Sequence, residues 1–425
     1  MPLEKVLVTH RTLAQALTGV AAGARGVRPP SAFESTGGGA ENATMLGALS
    51  SAMTALEGEE ARPGIFSSPR DPLASALQSY LAEQAHADPR ALQPIVGAPD
   101  DVLEVKYDEH DMLGWVGSFF TWWRKISPHP FVESTAPPDR LKNSARIALI
   151  SDWGTGLYGA PVCAQSISRT TPPFDVVMHL GDVYYSGTDG EQTDRCLKYW
   201  PSVPNAINRA ANANHDMYTG GHGYFNLVLA KFGQQASYCA LQNDYWTLAI
   251  LDTAYVDDEI AGNQVAWLQA LVQQGGNRKL ILFSHHQPFS LLDTQGPKLV
   301  AALSPLLASQ KIFAWYWGHE HRCVLYDAHP SWGLRGRCIG HGGYPYFRDK
   351  VADLPLEEAG KLFHRLAPKN LVPGAIILDA PNPYIEGHEN EYGAHGYVTL
   401  ELADAHVNEV IHAPDGTIVW QRALA

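Results

Sequence analysis

Two short apolar runs, IALI at 147–150 and FDVVMHL at 174–180, each lead within two residues to an aspartate with a glycine close by. Runs of this length, rich in Val, Ile and Leu and stopped by Gly, suit buried strands better than helices. Asp152 and Asp182 then stand at strand carboxyl ends, where open α/β sheets gather their ligand sites. One such aspartate alone reads as a turn cap. Three further blocks change that reading: ANHD at 213–216, SHHQP at 284–288 and GHEH at 318–321. The last two again follow strand-like runs, at 280–283 and 312–317. Helical spacing at 263–274 and 298–307 falls between strand-like runs, the alternation of a layered α/β domain. The chain ends differently, because 398–402, 407–411 and 417–420 look like antiparallel strands.

Carboxylate, imidazole, amide and phenol donors together suit iron, manganese or zinc, not an all-oxygen calcium cage. No single cluster is diagnostic; five in this order are hard to reach by chance. The order Asp-x-Gly, Gly-Asp-x-x-Tyr, Asn-His-Asp, His-x-Pro, Gly-His-x-His resembles the calcineurin-like metallophosphoesterases, specifically their purple acid phosphatase branch, from Arg146 to about His321. Most members carry Asp-x-His in the first block; here Gly154 stands in place of that histidine, and Tyr185 follows Asp182 by three residues. The resemblance implies a sandwich of two mixed sheets flanked by helices and a site for two metal ions. It assigns Asp152, Asp182, Tyr185 and His321 to the first metal, and Asp182, Asn214, His286 and His319 to the second, with Asp182 bridging. Such sites hold their ions roughly 3.5–4 Å apart. Three anionic donors favour a hard ion, iron(III), at the Tyr185 position, since a phenol of pKa near ~10 needs a bound cation to ionise. The more neutral second set suits divalent Fe, Mn or Zn.

The same resemblance implies in-line attack on phosphorus by a metal-activated hydroxide, with His215 donating a proton to the leaving oxygen or stabilising its charge. Asp216 either orients that imidazole or caps a turn. Pro288, two residues after His286, selects His286 as ligand; the adjacent His285 contacts substrate or bonds to a neighbouring loop. His222, in a Gly-rich aromatic loop, has the same two readings. Aromatic residues lie near the blocks (Tyr184, Tyr218, Tyr224, Phe225, Phe289, Tyr344, Tyr346), and the main cations near them are Arg322 and Arg348. This favours a small-molecule phosphate ester, aryl esters foremost. The alternatives are a phosphodiesterase or nuclease using the same ligands, and a non-catalytic scaffold.

A chain of 425 residues, 45% hydrophobic and 18% charged, has ample length to bury a core. Residues 1–143 read as a mainly helical or irregular N-terminal region ending in a linker, and 144–425 as the catalytic domain. Within the first, 21–44 is rich in Gly, Ala, Ser and Pro, with a loop expected at Gly37–Gly39, while 72–84 has helical spacing. An aromatic amphipathic helix is expected over 108–126, opened by Asp108, Glu109 and Asp111 and packing Phe119, Phe120 and Trp123. A helical stretch is expected at 196–211. The net charge of −13 argues against nucleic acid as partner. The five scattered cysteines read as thiols of a reducing compartment. With no apolar signal segment and no run of membrane-spanning length, the expectation is a cytoplasmic protein without a membrane partner.

Overall fold

Side-chain alternation along the strand Ser144–Ile150 decides how the layers stack. Ile147 and Leu149 point to one face, Ala148 and Ile150 to the other, the period of two that a pleated strand imposes. In the computed structural model, which describes residues 1–26, 38–59, 61–95, 101–106, 112–294, 296–348 and 362–425, the first face meets a second sheet. There Ile147, Leu149, Val176 and Met178 pack with Leu248, Ile250, Ile281, Phe283 and Tyr316. The other face is covered by the helix Ala160–Arg169 through Cys163 and Ile167. The second sheet's outer face, with Leu280, Leu282, Trp315 and Trp317, is covered by Leu268 of the helix Gln264–Gln274 and by Leu303, Leu306 and Leu307. Both sheets are thus buried on both sides, which is why their strands read as continuous apolar runs.

The smaller sheet has six strands, ordered Ile418–Ala423, His406–His412, Tyr397–Ala403, Ser144–Ile150, Val176–His179, Ile207–Ala210. Its last three run parallel, and the C-terminal strands join them antiparallel. The larger has nine, and at its centre Trp246–Ile250, Lys279–Phe283, Ile312–Trp317 and Arg335–Ile339 are parallel neighbours. The expected sandwich of two mixed sheets flanked by helices is the observed fold.

Three expectations are corrected. Ile207–Ala210 is an edge strand and not helix; Asn208 and Arg209 hid it, since an edge strand tolerates polar residues. Gly38 and Gly39 open the helix Gly38–Gly58 and form no loop there, because the Ala-, Leu- and Met-bearing run behind them propagates helix past their poor propensity. The linker also contributes Asp139–Arg140 as an edge strand of the larger sheet.

The N-terminal region contains the helices His10–Gly26, Gly38–Gly58, Pro72–Ala87 and Met112–Trp123 around a three-stranded sheet. The acidic start expected at Asp108, Glu109 and Asp111 lies outside the described residues. Phe119 is buried against Tyr80, with ring centroids 5.5 Å apart. This core does not stop at the region's edge but continues into Leu157, Tyr184, Tyr185 and Tyr344. Among the described residues, no helix is long and apolar enough to cross a membrane.

Candidate metal centre

Each block follows a strand, and in three of the five the chain turns through a conformation most residues avoid. Asp152, Asp182, His319 and His321 all have positive φ, between 52° and 75°. Left-handed backbone costs an ordinary residue ~1–3 kcal/mol and persists only where surroundings enforce it, most often at functional sites. Here the enforcement is visible. Asp152 N–H donates to Gly181 O at 2.9 Å. His319 N–H donates to both Asp152 carboxylate oxygens at 3.1 and 3.0 Å. Asp182 N–H donates to Asp216 Oδ2 at 3.3 Å.

These turns gather two donor sets about Asp182. In one, the Tyr184 hydroxyl lies 3.3 Å from Asp152 Oδ1, 3.0 Å from Asp182 Oδ2 and 3.0 Å from His321 Nε2. In the other, His285 Nε2 lies 3.4 Å from Asp182 Oδ1, 2.9 Å from Asn214 Oδ1 and 3.2 Å from His319 Nδ1. Asp182 therefore turns one oxygen to each set. His285 Nδ1 donates to Leu180 O at 2.9 Å, which leaves the Nε2 lone pair aimed inward, the arrangement of a ligand histidine held by a backbone carbonyl.

Electrostatics agree with a cation site. Asp152 is wholly buried, and burial together with the neighbouring Asp182 raises its carboxyl well above the usual range. Burial likewise raises the Tyr184 phenol, and Asp182 and Asp152 push it further. Burial would raise Asp182 too, but the rings of His285, His215 and His321 hold it below the normal range. Two buried carboxylates and a phenol converging with neutral imidazoles and an amide fit metal ions, which favour every deprotonated form at once.

Several residues stand where the sequence expects them and several do not. Asp152, Asp182, Asn214, His319 and His321 converge. Tyr185 does not: its hydroxyl accepts from Val8 N–H at 3.1 Å and its ring stacks on Phe66 at 4.9 Å. The buried Glu191 fixes the orientation of this pair by accepting from the N–H groups of Tyr185 and Ser186 at 2.6 and 3.0 Å. The neighbouring tyrosine thus fills the position assigned to Tyr185. His285 joins His286 at the centre: ligand atoms of His285, His286 and His319 all lie within 4.8 Å of one another. His286 Nε2 lies 3.2 Å from Asp257 and its Nδ1 3.1 Å from Thr253 Oγ1, although its ring remains 4.7 Å from that of His319.

His215 Nδ1 donates to Tyr185 O at 2.6 Å, and its Nε2 is buried with no partner among the described residues. Asp216 does not orient that ring; its other oxygen accepts from Gln192 Nε2 at 2.5 Å, so it braces the backbone of Asp182. His222 faces Ser127 O at 2.9 Å and does not reach the centre. Of the aromatic residues, Tyr344 stacks on His321 at 3.9 Å and Tyr218 lies 4.8 Å from His215. Tyr224 and Phe225 pack with Ala210, and Phe289 sits in the outer core. Beside the centre opens a cleft of about 770 Å³ lined by Arg62, Arg70 and Arg322 with His321, Tyr344 and Tyr346. Arg348 pairs with Asp379 instead. Of the two cations expected near the blocks, Arg322 lines the cleft and Arg348 does not, while Arg62 and Arg70 join it there.

Residues 145–323 match the model of the calcineurin-like phosphoesterase family. That segment, which carries all five blocks, is similar to this phosphoesterase family. No curated protein sequence matches the chain. Among solved structures, a purple acid phosphatase from yellow lupin seeds is 15% identical over 70% of this chain and 55% of its own, with a TM-score of 0.46. The GAP50 anchor of the Plasmodium inner membrane complex is 11% identical over 66% of this chain and 88% of its own, at 0.47. A predicted phosphoesterase from Streptococcus pneumoniae is 9% identical over 67% and 98%, at 0.31.

Proposed function

We propose that this protein is a binuclear metal-dependent hydrolase of small phosphate esters, of purple acid phosphatase type, with Tyr184 as its phenolate. The observation that carries this reading is the placement of Asp182, whose two carboxylate oxygens face two separate donor sets. Asp152, Asp182, Tyr184 and His321 would hold iron(III); Asp182, Asn214, His285 and His319 would hold a divalent ion. Bound there, the two ions supply Lewis-acid catalysis.

The protein's own groups supply the rest. Tyr185 O holds the proton on His215 Nδ1, leaving Nε2 bare. Burial lowers the pKa of the His215 ring. An arriving phosphate dianion favours its protonation, and Nε2–H then faces the leaving oxygen. Tyr344, stacked on His321, shields that side of the centre from water.

Metal analysis with visible spectroscopy tests the assignment. Purified protein should hold close to stoichiometric iron, absorb in the visible through phenolate-to-iron charge transfer, and hydrolyse 4-nitrophenyl phosphate. Tyr184→Phe should remove the band and Tyr185→Phe should keep it. A colourless, iron-loaded wild type would reject the phenolate, and a wild type lacking hydrolysis would reject the function.

A further inference from the structure

One cation bonded to a candidate metal ligand, Arg70, comes from outside the family-matched residues. Arg70 precedes Asp71, whose carboxylate caps the helix Pro72–Ala87 by accepting from Ala74 N–H at 3.0 Å. Its backbone is therefore fixed by a helix start, and it is tied to the centre at two points. Its carbonyl accepts from Tyr218 Oη–H at 2.7 Å, and that phenol oxygen in turn accepts from Asn214 Nδ2 at 2.7 Å. Its guanidinium donates through Nη2 to the carbonyl of His319 at 2.5 Å and through Nη1 to Asp293 at 2.7 Å. These bonds use two of the five N–H donors a guanidinium carries. The side chain is 38% exposed, and it lines the cleft that His321 also lines.

We propose that Arg70 is the phosphate-binding arginine of this enzyme and makes it selective for monoesters over diesters. The inference rests on the hydrolase reading given above. A monoester presents three non-esterified oxygens and up to two negative charges; a diester presents two and one. Planar guanidinium donors pair with terminal phosphate oxygens in bidentate fashion. An added cation at the site therefore favours the more highly charged ester. The ion pair with Asp293, itself 26% exposed, keeps the guanidinium in place without burying it, so it can turn N–H groups toward an arriving phosphate. The same residue explains why the N-terminal region packs against the metal centre: that contact is what positions the arginine.

The test compares wild type, Arg70→Lys and Arg70→Gln as metal-loaded full-length proteins. Inorganic phosphate binding is measured by calorimetry, and hydrolysis is measured on 4-nitrophenyl phosphate and bis(4-nitrophenyl) phosphate. Arg70→Gln should weaken phosphate binding and lower monoester kcat/KM by about 10- to 100-fold, the usual range for one charge-assisted contact. Its diester rate should change by less than about threefold, and Arg70→Lys should recover part of the monoester loss because it keeps the charge. Unchanged phosphate affinity in Arg70→Gln, or equal losses on both esters, overturns the proposal. Loss of metal from both variants also overturns it, since Arg70 would then hold the ligand loop and not the substrate. If wild type cleaves neither ester, the hydrolase reading falls separately, and the phosphate titration still decides the role of Arg70.

Discussion

The two places where the structure turns the neighbour of an expected residue toward the centre share one physical cause. His285 and His286 are chemically identical and adjacent, and so are Tyr184 and Tyr185. Composition and spacing cannot separate such pairs; only the backbone path beyond a strand end decides which member points inward. For the histidines, His285 comes two residues after the strand Lys279–Phe283 and meets Leu180 O, while His286 still presents a ligand atom beside His319. Asp152, Asp182, Asn214, His319 and His321 were legible because each lacks an equivalent neighbour. The assignment has a direct consequence. His285→Ala should lower occupancy of the second metal by at least about tenfold, whereas His286→Ala should retain both ions and lose only its contacts to Thr253 and Asp257. Metal analysis after dialysis distinguishes them, and retention of both ions by His285→Ala would restore His286 as the ligand.

At the scale of elements, the strands were readable and their meeting was not. Apolar runs located Ser144–Ile150, Val176–His179, Lys279–Phe283 and Ile312–Trp317, but nothing local shows how closely one strand-end turn approaches another. Gly318 shows how close that approach is. A Cβ there would lie 2.0 Å from Ser151 Oγ and 2.4 Å from Asp152 Oδ2, so only glycine lets the GHEH turn sit on the first aspartate. Gly318→Ala should destabilise the fold by ~1–3 kcal/mol through overpacking. It should also impair metal binding, because the displaced groups include the candidate ligand Asp152. Thermal unfolding and metal content measured together check both effects, and a variant with wild-type metal content would show that the turn has slack. Arg70 was illegible for a related reason. Its partner His319 lies 249 residues away, and no periodicity reports a contact of that range.

For the molecule as a whole, buried histidines set the response to acid. Burial pushes His179 and His395 down to about 3 and His341 to about 4. Each has a ring nitrogen without a partner among the described residues, so an added proton finds no acceptor. A base with its folded pKa depressed contributes stability fully present above its unfolded value near 6.5 and lost as pH falls toward the folded value. Each such histidine withdraws up to ~1.4 kcal/mol per pH unit inside that window. The melting temperature should therefore be flat from pH 8 to 7 and fall by several degrees between pH 6.5 and 5; a level profile through that range would contradict the burial of these rings. The N-terminal core running into Tyr184 and Tyr344 carries a further consequence. The border drawn by family resemblance at residue 145 passes through a continuous apolar interior, so ancestry and packing divide this chain at different places. The packing around Tyr184 is in part a property of a stretch that the family model does not match.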